Sequence, residues 1–167
     1  MTATATVAAA FKWRMFKVAE ALWADPNPEV LTTYGRPGIN IPDDLVMWLG
    51  VESEFVPGPQ AMNRQRTETL TLESQWWFFR PGELDAEKDA TDALYTRLGE
   101  FENHLRLTNP RLLLDGEGPN EGLDFMHGVQ LVSHQFDTTE ADNNLGAGGR
   151  LAVATVRWQA DIRIRNL

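Results

Sequence analysis

A chain of 167 residues accommodates one ordinary domain and is too short for two comfortable ones. Folding at this size removes about 70% of the surface of the unfolded chain, so a core can hold it without disulfide or metal staples. The composition, 43% apolar and 23% charged, is that of a soluble globular domain. The absence of Cys excludes a disulfide framework, thiolate nucleophiles, Cys-ligated zinc and iron–sulfur chemistry. Fifteen basic against 24 acidic residues leave a net charge of -9, which opposes general binding to phosphate backbones or to an anionic membrane.

Met1 to Ala10 is small and mildly apolar but lacks a basic leader region and meets Lys12 and Arg14 too early for a signal peptide. No apolar run approaches the length of about 18 residues that a membrane helix needs. The chain is therefore expected to be made and to work in the cytoplasm, or in something assembled there.

The first helix is predicted from Val7, Phe11, Met15, Val18 and Leu22, which recur at steps of three and four; Trp13, Phe16 and Trp23 widen the stripe. It should end near Trp23, before Asp25-Pro26-Asn27-Pro28. Val30 to Asp44, carrying Gly35, Pro37, Gly38 and Pro42, reads as an irregular connector. Leu45 to Val51 is continuously apolar, as in a strand covered on both faces. A second connector spans Glu54 to Arg66 and includes Arg64 and Arg66. Thr67 to Phe79 is the second predicted strand, with Leu70 and Leu72 on one side.

Pro81-Gly82 closes that strand, and Asp85 stands where a helix N-cap belongs, followed by Glu87 and Asp89 near the positive end of the dipole. Ala90, Leu94, Leu98, Phe101 and Leu105 then repeat at helical steps, predicting a helix over Ala86 to Arg106 that stops before Asn109-Pro110. Asp115 to Pro119 is rich in turn residues. Phe125 to Asp137 reads as a third strand whose apolar phase switches between Leu131 and Val132, so a bulge is expected there. Thr138 to Arg150, with Gly146 to Gly149, is predicted to be a mobile polar loop. The last strand alternates strictly: Ala154, Val156, Trp158, Ala160, Ile162 and Ile164 on one face, Thr155, Arg157, Gln159, Asp161, Arg163 and Arg165 on the other.

The expected architecture is a single α+β domain over residues 1–167, ordered α-β-β-α-β-β. Its four-stranded, mostly antiparallel sheet carries both helices on one face, and the last two strands form a hairpin.

The search for chemistry yields little. His104 stands alone, while His127 and His134 are an odd number apart on a presumed strand, so no metal site is expected. No nucleophile elbow or comparable base-linked Ser or Thr appears, and the Gly146 to Gly149 run has neither dinucleotide nor P-loop spacing. The carboxylate groups at Glu52 and Glu54, and at Asp85, Glu87 and Asp89, read as solvated charge, and no cofactor is expected.

Two features stand out. Trp76-Trp77-Phe78-Phe79 must alternate between both faces of a strand, so its outer pair, Trp77 and Phe79, either meets another subunit or is packed from both sides. The face with Arg157, Asp161, Arg163 and Arg165 concentrates positive charge in an acidic protein; it suits salt bridges with an acidic neighbour, or is a solvated sheet face.

Taken in order, several segments give the chain its likeness: the opening amphipathic helix, Gly35-Arg36-Pro37, the apolar strand Leu45 to Val51, and Arg64-Gln-Arg-Thr-Glu-Thr69. The acidic-capped helix and the closing strand Val153 to Arg165 complete the set. In this order and spacing the chain resembles the tail terminator (tail completion, minor tail) proteins of long-tailed bacteriophages. It departs from them in the unbroken aromatic run Trp76 to Phe79 and in the extended segment Thr108 to Leu123.

The resemblance implies a non-enzymatic ring, usually of six subunits, at the head-proximal end of the virion tail after assembly in the host cytoplasm. Its partners would be further copies of the chain, the major tail tube protein and a neck or head-completion protein. DNA would pass through without specific binding, and no membrane is involved. Trp77, Phe79, Arg157, Asp161, Arg163 and Arg165 are the expected subunit contacts. Arg64, Arg66, Asn143, Asn144 and Arg150 are the expected loop contacts with tube or neck. Two alternatives stand beside this reading: a neck or head-completion adaptor, and a small enzyme or ligand-binding domain with its pocket between the first helix and the sheet. An interior filled by Trp48, Trp76 and Trp158 would oppose the last.

Overall fold

The computed structural model describes residues 6–24, 30–38, 42–56, 65–142, 146 and 148–165. Helix α1 (Ala8–Leu22) leads to β1 (Leu31–Thr33), β2 (Asp44–Val56) and β3 (Gln65–Pro81). Helix α2 (Leu84–Asn103) follows, runs into a π-helical turn (His104–Thr108), and is succeeded by β4 (Gln130–Asp142) and β5 (Gly148–Arg165). The sheet has five strands in the order β1-β2-β3-β5-β4, antiparallel except where β1 runs parallel to β2.

The α+β class and the mostly antiparallel sheet agree with the sequence reading; the strand count and element order do not. The extra strand, β1, lies inside the stretch read as an irregular connector, pairing Leu31 with Leu45 and Thr33 with Met47. Three residues between proline- and glycine-bearing segments are too few to show a period, so only the neighbouring strand reveals them. The connector expected over Glu54 to Arg66 is shorter too, since pairing continues to Val56 and resumes by Gln65.

The predicted loop Thr138 to Arg150 is mostly strand, for β4 and β5 stay paired up to Asp142 and Gly148. The β-branched Thr138 and Thr139 fit a pleated surface despite their polar surroundings. The expected antiparallel hairpin is present, and so is the bulge: the register shifts between Leu131 and Ser133, leaving Val132 as the extra, exposed residue. Strand β4 begins at Gln130 rather than Phe125, which makes an isolated bridge to Ile162.

Helix α2 also starts and ends differently. Glu83, not Asp85, holds the cap position, with no side-chain cap bond, because Gly82 at φ +114 turns the chain abruptly out of β3. The regular helix stops at Asn103, and the widened turn beyond it, closed by the Asn109 N–H donating to the His104 carbonyl at 2.8 Å, buries Leu105.

Both helices cover one face of the sheet. The inward residues of β5 from Ala152 to Ile164 are all buried, as their alternation predicts. They meet Val46, Trp48, Leu70, Leu72, Trp76 and Phe78 from the neighbouring strands in one core with Phe11, Met15, Leu94, Leu98 and Phe101. Phe101 stands at its centre, with ring centroids of Trp158, Trp48, Trp23 and Trp76 at 5.4, 5.6, 5.7 and 6.1 Å.

Buried indoles need acceptors. The Trp76 and Trp158 Nε1–H groups both donate to the Ser74 hydroxyl, each at 2.9 Å, and Ser74 donates in turn to the Val156 carbonyl at 3.4 Å. Trp48 donates to Thr32 on β1 at 2.9 Å, and Trp23 to Glu100 at 3.3 Å.

Two polar ties fix α1. The buried Glu68 carboxylate accepts the Val7 N–H at 2.9 Å and the hydroxyls of Thr6 and Ser53, so a negative charge sits at the positive end of the helix. Arg14 clasps Glu117 through two nitrogens, at 2.5 and 2.7 Å, and also donates to the Leu112 carbonyl at 3.0 Å. The Arg14 bonds, with the Leu114 N–H second, hold the Glu117 carboxyl at about 2, against an ordinary value of 4.5.

Replacing Ser74 with Ala should strand two indole N–H groups and cost about 2–4 kcal/mol in urea unfolding. Phe101→Ala should cost about 3–5 kcal/mol; a loss under 1 kcal/mol from either would show that the cluster tolerates a gap. For Glu117, the folded carboxyl holds its proton more weakly than the unfolded one. Its stabilisation is therefore complete above about 4.5 and lost as pH falls towards about 2. The stability curves of the native chain and Glu117→Gln should converge over that range, and a constant gap between them would refute the role given to this pair.

Candidate functional site

The face of the sheet away from the helices collects most of the residues singled out in the sequence. Its register runs from Gln65 opposite Arg165, through Thr67 and Arg163, Thr69 and Asp161, and Glu73 and Arg157, to Trp77 opposite Val153 and Phe79 opposite Leu151. Trp77 and Arg163 therefore share a face but lie about 33 Å apart along the strands, at roughly 3.3 Å per residue.

At the aromatic end, Phe79 offers no surface to a partner. It is 4% exposed, because its ring lies over the Gly149 backbone; a Cβ placed there would fall 2.5 Å from the ring and 2.3 Å from the Arg80 carbonyl oxygen. Trp77 is half-buried beside Leu45 and Val153, and its indole nitrogen is buried with no hydrogen-bond acceptor among the described residues. Trp76 and Phe78 face the helices and are fully buried. The aromatic run is thus packed from both sides, with Trp77 alone of the outer pair keeping some exposure.

At the charged end the side chains alternate over a row of threonines. Thr69 donates to Asp161 at 2.7 Å, Arg157 lies 3.6 Å from Glu73, and Arg163 is exposed opposite Thr67. Arg165 continues the strand opposite Gln65.

The loop contacts expected from sequence are placed differently. Arg66 belongs to β3, and its guanidinium lies 4.7 Å from the centre of the Phe55 ring. Arg150 belongs to β5 and pairs with Glu140 across the hairpin at 2.7 Å. Both lie on strands rather than loops because β3 and β5 extend beyond their apolar stretches. Arg64, Asn143 and Asn144 lie outside the described residues.

The histidines do not converge. His104 closes α2, where burial lowers its pKa; His127 is exposed between β4 and the Phe125 bridge, not on the strand; His134 meets the Tyr95 hydroxyl at 3.1 Å. No group of three or more metal-ligating side chains occurs among the described residues. The Trp48, Trp76 and Trp158 side chains fill the interior around Phe101 of α2, and Trp76 also meets Trp23 at the end of α1, where a ligand pocket would lie.

Three surface features carry no single-residue signal in the sequence. One is a groove of about 750 Å³ between α2 and the start of β2, where Arg80 pairs with both oxygens of Asp44 at 2.5 and 3.0 Å. Burial raises the Asp44 pKa against the lowering effect of Arg80. The second is a groove of about 710 Å³ at the opposite edge, lined by Glu83, Leu84, Glu140, Asp142 and Arg150. The third is an aromatic patch beside β1: Trp13, Phe16 and Tyr34 with centroids 5.5–5.9 Å apart, Lys12 over Tyr34 at 4.2 Å and Lys17 over Trp13 at 5.4 Å. The helical spacing of Trp13 and Phe16 predicts that they widen the core stripe of α1, yet Trp13 is 46% exposed.

No described helix is long and apolar enough to cross a membrane. The sequence matches no protein-family model and no curated protein.

Gly149→Ala should destabilise the chain by about 2–3 kcal/mol, since one contact is with backbone and cannot be relieved by a rotamer change. Chemical denaturation checks it; a change within 0.5 kcal/mol, the range of about ±0.5 kcal/mol usual for surface sites, would mean that Phe79 does not sit on this glycine.

Proposed function

We propose that this chain is a tail terminator of a long-tailed bacteriophage: a subunit of a ring that caps the tail tube, stops addition of tube protein and presents the joining surface for the neck. The observation that carries the reading is the contrast between interior and exterior. The space beneath the helices is filled by indole rings around Phe101, while the outward face of β5 presents exposed Arg157 and Arg163 and, among the described residues, no strand pairs with the outer edge of β1 or of β4. A subunit that works by contact requires this distribution, whereas a ligand-binding domain needs a concave apolar pocket.

The remaining parts fit the same role. The end of β2 runs on past the core beside β3, with Glu52 to Val56 all exposed, giving a strand edge suited to gripping the tube end. The exposed arginines of β5 supply cations for salt bridges to a neighbouring subunit or to the tube. The net charge of -9 lets DNA pass a channel without adhering. The major tail protein, a neck protein and further copies of the chain are the proposed partners, with no catalytic step.

Phage lysates in which this gene is deleted should contain overlong or headless tails by electron microscopy, and normal virions would overturn the proposal. Arg163→Glu, on the exposed strand face, should shift the unfolding free energy by no more than about 0.5 kcal/mol while sharply reducing incorporation into tails. Equal loss of folding and incorporation would remove Arg163 from the contact surface.

A further inference from the structure

We propose that copies of this chain join head to tail, with the aromatic and lysine patch beside β1 of one copy seated in the acidic groove beside β4 of the next. The inference rests on the ring reading and names the two surfaces that would close the ring.

The patch has the composition of an interface centre. Trp13 and Tyr34 are 46% and 41% exposed, yet each is held by ring contacts to the other and to Phe16, so little freedom is lost on binding. Lys12 and Lys17, two of the chain's three lysines, stand over those rings, Lys17 also pairing with Glu20 one turn on. Exposed Arg36 follows Tyr34 two residues on. In a protein of charge -9, cations gathered around exposed aromatics are a local reversal of sign.

The groove is its complement. Three carboxylates, on Glu83, Glu140 and Asp142, line it against one arginine, Arg150, which already pairs with Glu140. Leu84, 80% exposed at the first turn of α2, supplies an apolar wall for an aromatic ring. Asp85 and Glu87 on the same turn add to the negative field. Aromatic anchors meeting an apolar wall, with cations meeting carboxylates around them, give both contact and orientation.

The placement of the two surfaces sets the symmetry. The patch lies at the β1 edge and the groove at the β5 and β4 end; four strand spacings of about 4.8 Å separate the two edges, or about 19 Å. Two different surfaces on opposite edges make a heterologous contact, which propagates in one direction and closes into a ring when the rotation permits. A two-fold dimer centred on the patch would place it against itself, bringing Lys12 and Lys17 of the two copies together.

The chain has no cysteine, so single thiols report on the contact. Ala9→Cys places one on the exposed side of α1 a turn before Trp13, and Asp85→Cys places one beside Leu84. With a short thiol cross-linker, a mixture of the two full-length variants should give the mixed dimer in at least about tenfold excess over either variant alone, a free-energy preference of the order of one factor of ten. In these backgrounds, Lys12→Glu with Lys17→Glu on the first variant, or Glu83→Lys with Asp142→Lys on the second, should each abolish the mixed product. Combining both reversals should restore it.

Like-with-like products as abundant as the mixed one, or no mixed product at all, would overturn the inference. A six-fold ring by native mass spectrometry without the mixed product would overturn this pairing and leave the ring standing. A mixed product together with normal virions from the gene deletion would uphold the pairing and overturn the terminator reading.

Discussion

Four indole rings close on one phenyl ring, and the rest of the architecture follows from the need to satisfy them. Phe101 can touch Trp23, Trp48, Trp76 and Trp158 only if α2 lies across the middle of the sheet and α1 beside it. The indoles also bring polar N–H groups into a water-free space, where an unpaired donor costs about 1–3 kcal/mol. Ser74 answers two of them at once, from a strand position where its hydroxyl is fully buried. Thr32 answers a third, which gives the three-residue strand β1 a function in the core although it has little apolar surface of its own. The aromatic cluster therefore fixes the position of an edge strand as well as the helices.

The same logic explains which parts of the structure were legible in the sequence. Strand β5 was read residue by residue, because its period of two is unbroken and its inward face faces one apolar layer. The bulge after Leu131 was legible because a phase change in an otherwise regular strand has few other causes. Strand β1 was not, since three residues show no period and its evidence is a hydrogen bond to Trp48 sixteen positions away. The hairpin of β4 and β5 is legible but its paired tip is not, because the backbone pairing that holds Thr138 to Asp142 leaves no apolar trace.

Glu68 illustrates the limit most sharply. It shares the inward side of β3 with Leu70 and Leu72, and a carboxylate there looks like an error of pattern until the start of α1 is seen to donate to it. Of the candidate site, the sequence located the outward face of β5 correctly but could not show that Phe79 is spent on Gly149, a contact between strands whose residues are seventy positions apart. The patch at Trp13 was hidden for the opposite reason. An aromatic at helical spacing reads as core, and only the position of Tyr34 after β1 shows that the ring stays at the surface.

A sheet with both helices on one side has an asymmetry that bears directly on how the chain acts. The helical side is saturated: its aromatics pair with one another, and Arg14 with Glu117 and Arg80 with Asp44 tie the periphery down. The outward side of β5 and the two edges remain, and their charges are not spread evenly. Cations sit beside the β1 edge and along the outward face of β5, and carboxylates gather where α2 begins and β4 ends. Several of these charges already have local partners, Lys17 with Glu20, Arg157 with Glu73 and Arg150 with Glu140, so what each surface offers a neighbour is the remainder. The proposed contact between successive copies would bring these opposite charges together, and a closed ring would leave neither surface without a partner.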